Sequence, residues 1–430
     1  MLQILNYIDY KNWDRRTKLI LLAMGIIALI IALKPAKEQK PLVAQILNSN
    51  GKAWTDYKLV VKQTNSSSKS SSTTTLSDIK NIKNIKNIKN IKNIANIADI
   101  TDIAAFRFSD DGKMGLIISS EGNVLASSDG GRSWFVSSRI PLVGEVIEGQ
   151  FVANETITDL AINSNSSQVF VSTMLEGAEL TNLYQLKDGK WTVNGGDYAG
   201  ITALSGNGSW GVGGGGYFYQ ISQKGELLAN RLPDWSENTT LYSVSNKGNE
   251  LLLVGDYGLS VVSKDLGKSW SFTGVRTDLP LYSCLIGEGV SLIGGIGSLY
   301  CSLGDANNQQ ITNSNVPNSS ISNNSNVINN SKASSNKKWY QVKGLSDRAA
   351  IFSFYQDQET KEIFAVGGSL DGAKGLILST TDGVNWYQET VDDKYGRVIS
   401  VAKTPFGLLA ATSSGKVLIR QDLNLTTKNN

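Results

Sequence analysis

The chain has 430 residues, a net charge of only +3 and 40% hydrophobic residues. That is ample length for a large core, and too little charge to point to a nucleic-acid partner. It has no histidine and two cysteines, which excludes His-based acid–base catalysis, Ser-His-Asp triads and His-ligated metal sites, and nothing calls for a cofactor or a metal.

Residues 1–18 read as a cytoplasmic leader carrying Lys11, Arg15, Arg16 and Lys18. Residues 19–33 are fifteen uninterrupted apolar residues between Lys18 and Lys34. A helix of that length spans ~22 Å, short of a ~30 Å hydrocarbon core, and snorkelling lysines make up the difference. Residues 19–34 are therefore expected to be a single-pass signal anchor, with the bulk of the chain on the periplasmic or extracytoplasmic side. A cleaved signal peptide is the alternative, but no small-x-small cleavage site follows.

Residues 51–62 form a short segment around Trp54 that could supply a strand. Residues 63–100 are a low-complexity spacer in which Lys-Asn-Ile recurs five times from Lys80 to Ile94. A period of three matches neither a helical face nor a strand face. Tandem slippage explains the pattern; the functional alternative is a lysine-studded strip touching anionic lipid or another polymer.

From residue 101 the chain repeats itself. Ser127-Ser128-Asp129-Gly130-Gly131-Arg132-Ser133-Trp134 recurs as Ser263-Lys264-Asp265-Leu266-Gly267-Lys268-Ser269-Trp270, and one residue shorter as Thr380-Thr381-Asp382-Gly383-Val384-Asn385-Trp386. Each residue has a turn-building role. The Asp accepts backbone N–H bonds, the Gly supplies a left-handed conformation, and the Trp packs a large face as the next strand begins. A turn glycine precedes each phrase at a fixed distance, and the same register gives seven units centred near residues 122, 180, 216, 258, 297, 375 and 415. The second is marked by a worn copy of the phrase from Tyr184 to Trp191. Spacings near 40 residues suit a four-stranded propeller blade, and such repeats bury their faces only in a closed array. The long fifth interval contains an Asn/Ser-rich tract at 306–338, whose removal restores the period.

The phrase resembles the Asp-box, or bacterial neuraminidase repeat, which marks one class of β-propeller, and the seven units imply a seven-bladed one. The fold expected is thus all-β: a propeller over 101–422 with a disordered insertion at 306–338 and a tail at 423–430. The last unit has Asp422 but no following Trp, so residues 51–62 are expected to close the ring from the N-terminal side, with Trp54 in the missing place. In a propeller the first strand of each blade lines the central channel. Thr101-Asp102-Ile103, Thr158-Asp159-Leu160, Thr202-Ala203-Leu204, Tyr242-Ser243-Val244, Tyr282-Ser283-Cys284, Phe352-Ser353-Phe354 and Ile399-Ser400-Val401 occupy matching places. Candidate channel residues are therefore Asp102, Asp159, Ser243, Ser283, Ser353 and Ser400, with Arg107. Cys284 and Cys301 fall on the first and third strands of one blade, ~9.6 Å apart, and are expected to be free, buried thiols.

Asp-box propellers include sialidases, other glycosidases, sorting receptors and non-enzymatic assembly factors, and the fold does not choose among them. Ser138-Arg139-Ile140-Pro141 is similar to a sialidase phrase but follows the first box, where that family places it before, so it is read as coincidence. Asp102 and Asp159 could form a glycosidase carboxylate pair. The blade phrase over 118–134 and 254–270 is more similar to the photosystem II stability/assembly factor family. That resemblance implies a non-catalytic scaffold that presents a channel mouth to a protein partner. The alternative is a glycan-binding or glycoside-hydrolysing surface protein.

Overall fold

The structure, a computed structural model, describes residues 43–47, 49–61, 102–147, 150–163, 168–175, 180–304 and 338–422. The apolar segment 19–34, the Lys-Asn-Ile spacer and nearly all of the Asn/Ser tract lie outside the described residues. Among the described residues no helix is long and apolar enough to cross a membrane.

Seven sheets, each built on four antiparallel strands, form the blades. Blades 1 to 5 begin with the inner strands Ala105–Phe108, Glu155–Asn163, Ile201–Leu204, Leu241–Lys247 and Leu281–Ile286. Blades 6 and 7 begin with Ala349–Gln356 and Val398–Thr404. Each inner strand touches the inner strand of the next blade, and that of blade 7 touches that of blade 1, so the ring is closed. Apolar residues on both faces of the sheets form cores between adjacent blades. Burial on both faces explains the continuous apolar runs of the second strands, such as Leu251-Leu252-Leu253-Val254.

The outer strand of blade 7 comes from the other end of the chain. Lys52–Asp56 pairs antiparallel with Val417–Asp422, with Trp54 opposite Arg420. The N-terminal segment does more than fill this place. Gln45–Leu47 adds a parallel fifth strand to blade 6 beside Asn385–Gln388. Val61 bridges to Trp134 of blade 1, whose N–H donates to the Val60 carbonyl at 2.9 Å. One segment thus joins the outer edges of blades 6, 7 and 1, covering edges that would otherwise offer unpaired backbone.

The three Asp phrases build one hydrogen-bonded turn. Asp129 Oδ1 accepts from the Ser127 hydroxyl and the Ser133 N–H, both at 2.9 Å, and the Ser127 hydroxyl accepts from Gly131 N–H at 2.7 Å. The Trp134 indole N–H donates to the Gly131 carbonyl at 2.9 Å. The Asp265 and Asp382 turns repeat this plan, with Trp270 and Trp386 donating to Gly267 and Gly383 at 3.1 Å. Trp134 and Trp386 are fully buried.

Blade 2 departs from the plan. The stretch from Tyr184 to Trp191 is a two-residue hairpin between Leu180–Lys187 and Lys190–Ala199. Its Asp188 and Gly189 have φ of 49° and 73°, as a primed hairpin turn requires. A separate hairpin, Gly144–Ile147 with Gln150–Ala153, stands between blades 1 and 2. The Arg139-Ile140-Pro141 phrase has a packing role there: Ile140 is buried, and the Pro141 carbonyl accepts from the Tyr184 hydroxyl at 3.2 Å. Tyr340–Gln341 completes blade 5. Cys284 and Cys301 are both free and buried.

Candidate functional site

The inner strands share a feature that side-chain patterns do not reveal. In six blades the pairing with the second strand slips by one residue, leaving Thr158, Thr202, Tyr242, Tyr282, Phe352 and Ile399 as bulges. A bulge puts two consecutive residues opposite one and re-aims their side chains. Here both the bulge residue and its successor line the channel.

Pairing also sets the register of blade 1. Ala105 pairs with Ile118, four residues before Gly122, as Ser243 pairs with Val254, four before Gly258. Ala105 therefore holds the place expected for Asp102, which lies ahead of the strand and outside the channel lining. The ring is Ala105, Asp159, Ala203, Ser243, Ser283, Ser353 and Ser400. Asp159 is the only carboxylate in this lining among the described residues, so the carboxylate pair considered above is not assembled there.

The channel contains two cavities that share Arg107, Gly206, Leu285, Ser353, Phe354 and Ser400. The first, about 370 Å³, lies where the inner strands begin, and the second, about 400 Å³, lies where they end. Between them Arg107 stands 3.7 Å from Asp159 Oδ1. The Asp159 carboxylate also accepts from Leu160 N–H at 2.7 Å and, across to blade 3, from Leu204 N–H at 2.8 Å. Burial in the wall pushes this carboxyl up, while Arg107 and the two N–H groups act in the opposite sense.

Other polar groups of the ring tie one blade to the next. The Thr158 hydroxyl donates to Ile201 O at 2.7 Å, and Thr202 donates to Leu241 O. The Ser283 hydroxyl donates to Ile351 O at 3.2 Å. The Ser243 hydroxyl accepts from Cys284 N–H at 3.2 Å, and that of Ser245 from Ile286 N–H at 2.8 Å. These groups act as inter-blade staples.

The first mouth is divided in character. On blades 1 to 3 it presents Arg107, Asp159, Thr158 and Thr202; on blades 4 to 6 it presents an aromatic arc. Tyr242 and Tyr282 meet edge to face with ring centres 5.3 Å apart, and Tyr282 and Phe352 follow at 5.6 Å. The Arg397 guanidinium caps the arc 5.5 Å from the centre of Phe352. Burial, then the Asp256 carboxylate, pushes the Tyr242 hydroxyl up to about 12. The second mouth is ionic, with Lys403 3.0 Å from Asp357 and Lys361 2.5 Å from Glu288. Among the described residues no cluster of metal-ligating side chains occurs.

Seven four- or five-stranded sheets closed around a channel define a seven-bladed β-propeller. No family model matches the chain, and no curated protein matches its sequence. Solved structures share the fold. The chain is similar to a propeller in a crystal structure of the mitotic checkpoint complex, at 13% identity and a TM-score of 0.50 over 75% of this chain and 88% of that one. It is similar to YCF48 bound to D1 peptide, at 13% identity and a TM-score of 0.50 over 89% and 98%. It also matches YCF48 from Cyanidioschyzon merolae, at 14% identity and a TM-score of 0.48 over 74% and 94%. At such identities the likeness shows the fold.

Proposed function

We propose that this chain is a non-catalytic propeller scaffold, held at a membrane by residues 19–34, that binds a protein partner at the first channel mouth during assembly or stabilisation of an envelope complex. The observation that carries this reading is the division of labour at the mouth. Asp159, Thr158, Thr202, Ser243 and Ser283 are engaged between blades, while Tyr242, Tyr282 and Phe352 face the opening. An aromatic surface suits a protein partner, since such groups offer large contact area at low entropic cost. The Ser/Thr-x-Asp turns support reading the repeat as an Asp-box. The likeness to propellers in a checkpoint complex and bound to a peptide is consistent with a binding role.

The test is capture of tagged full-length protein from detergent-solubilised native membranes, beside a Tyr282→Ala variant of matched thermal stability. A stoichiometric protein retained at moderate salt by the wild type and lost from the variant supports the reading. Recovery of the protein alone, or binding of oligosaccharide in place of protein, refutes it.

A further inference from the structure

The blades repeat one plan, so each shows what packing alone asks of the matching position in another. The turn between second and third strands is Gly214–Gly216 in blade 3 and Asp256–Gly258 in blade 4. The two are nearly identical in backbone. Gly213 and Gly255 lead in at φ −163° and −168°, and Gly216 and Gly258 both end the turn at 69°. Between them Gly215 has φ 63° and ψ 23°, and Tyr257 has φ 53° and ψ 32°. Glycine takes this left-handed conformation freely; a residue with a Cβ resists it. The turn cannot relax to relieve Tyr257. A Cβ on Gly255 would lie 2.2 Å from Thr240 O, and one on Gly258 1.7 Å from Thr277 O, so backbone encloses it on both sides. Tyr257 gains nothing from burial in return, being 76% exposed. Such strain clusters at ligand-binding and switch sites, so an outlier of this kind motivates a functional hypothesis.

We propose that Tyr257 is an aromatic anchor that extends the blade 4–6 arc and inserts against apolar or aromatic side chains of a protein partner. The proposal rests on the scaffold reading above. Its geometry is contiguous with the channel mouth. Asp256, next in sequence, accepts from Thr240 N–H at 3.3 Å and lies beside Tyr242, which leads to Tyr282 and Phe352. The adjoining loop, packed on Gly258 through Thr277, exposes Leu279 at 46%. Asp256, Asp278 and Arg276 on these two loops are of mixed sign, so no field selects a polyanion or an anionic membrane. An exposed aliphatic group on the adjoining loop favours protein over glycan, because it adds apolar contact without a flat face for a sugar ring.

Leu266 supplies a matched control. It has φ 59° and is 41% exposed, where the first Asp phrase has Gly130 at φ 77°. It sits in a turn between third and fourth strands, hence at the opposite end of the blade from the arc.

The experiment places photo-reactive p-benzoyl-phenylalanine at position 257 or 266 of the full-length protein in its native membranes, and measures Tm and partner retention for Tyr257→Gly and Leu266→Gly. Both glycine variants should melt higher, by about 2 °C. Tyr257→Gly should retain the partner at least tenfold less well, and Leu266→Gly as well as wild type. Irradiation should cross-link position 257, and not 266, to an apolar segment of the partner. Undiminished retention by Tyr257→Gly, or cross-linking from 257 to lipid or glycan, would overturn the anchor while a wild-type protein partner leaves the scaffold reading standing. A lower Tm for Tyr257→Gly would overturn the strain argument. Absence of any protein partner on the wild type would overturn both.

Discussion

Glu389 offers the sharpest test of how the ring is held shut. Its carboxylate is fully buried and gathers donors from three parts of the fold. It accepts from the Trp54 indole N–H at 2.7 Å, the Ser379 hydroxyl at 2.6 Å and the Asn50 amide at 3.3 Å, and from Arg420. Arg420 is also held by Glu362 through two bonds of 2.8 and 2.7 Å, and lies 5.0 Å from the centre of the Phe364 ring. Blade 6, blade 7 and the N-terminal strand thus meet at one buried cluster. Removing one member of a buried charged pair costs about 3–5 kcal/mol. Because Glu362 keeps its bidentate hold on Arg420, Glu389→Ala should fall at the low end, about 3 kcal/mol, or roughly 5 °C in Tm for a domain of this size. In urea, the midpoint should fall with little change in slope. Hydrogen exchange should accelerate first in Lys52–Asp56, since its Trp54 loses its indole partner. Glu288→Ala, at the exposed pair with Lys361, should leave the midpoint unmoved. A loss below about 1 kcal/mol for Glu389→Ala, or unchanged protection of Lys52–Asp56, would refute the argument.

Further outcomes follow from the turns and the core. Trp134→Ala should cost about 3–5 kcal/mol, since Trp134 is fully buried, and Trp270→Ala should cost less because Trp270 is only half-buried; equal urea midpoints would contradict this. The Ser269 hydroxyl and N–H, with the Ser263 hydroxyl, hold the Asp265 carboxyl down to about 2. Its folded value lies below the ordinary ~3.9, so its contribution is complete above pH ~4 and is lost as pH falls toward 2; an NMR titration midpoint at the ordinary value would exclude these bonds. Burial pushes the Cys284 and Cys301 thiols up to about 12. A thiol reagent at pH 8 should therefore label neither in the native protein and both in denaturant.

The parts of the fold legible in the sequence are those written in side chains. Ser127, Asp129, Gly131 and Trp134 each form a specific bond or conformation in the turn, so their spacing is visible wherever the turn recurs. What depends on backbone register is not. Thr101-Asp102-Ile103 looks like Thr158-Asp159-Leu160, yet the pairing of Ala105 with Ile118 sets the channel position three residues later. The inner-strand bulges leave no residue-type signature, since Thr, Tyr, Phe and Ile all occupy them. The parallel strand Gln45–Leu47 is only three residues long, too short for an alternating pattern to show. The clasp around Arg420 joins residues 31 and 58 positions away, and such distant charges carry no local pattern. Tyr257 is visible in the sequence as well, since Asp256-Tyr257-Gly258 has a tyrosine where the matching Gly214-Gly215-Gly216 has glycine.

The most direct test of the scaffold account is hydroxyl-radical footprinting of the captured complex against the free protein. The account predicts protection of Tyr242, Tyr282, Phe352 and Tyr257 at the first channel mouth, with Tyr355 and Lys403 at the second left unchanged. Protection confined to the second mouth would contradict it.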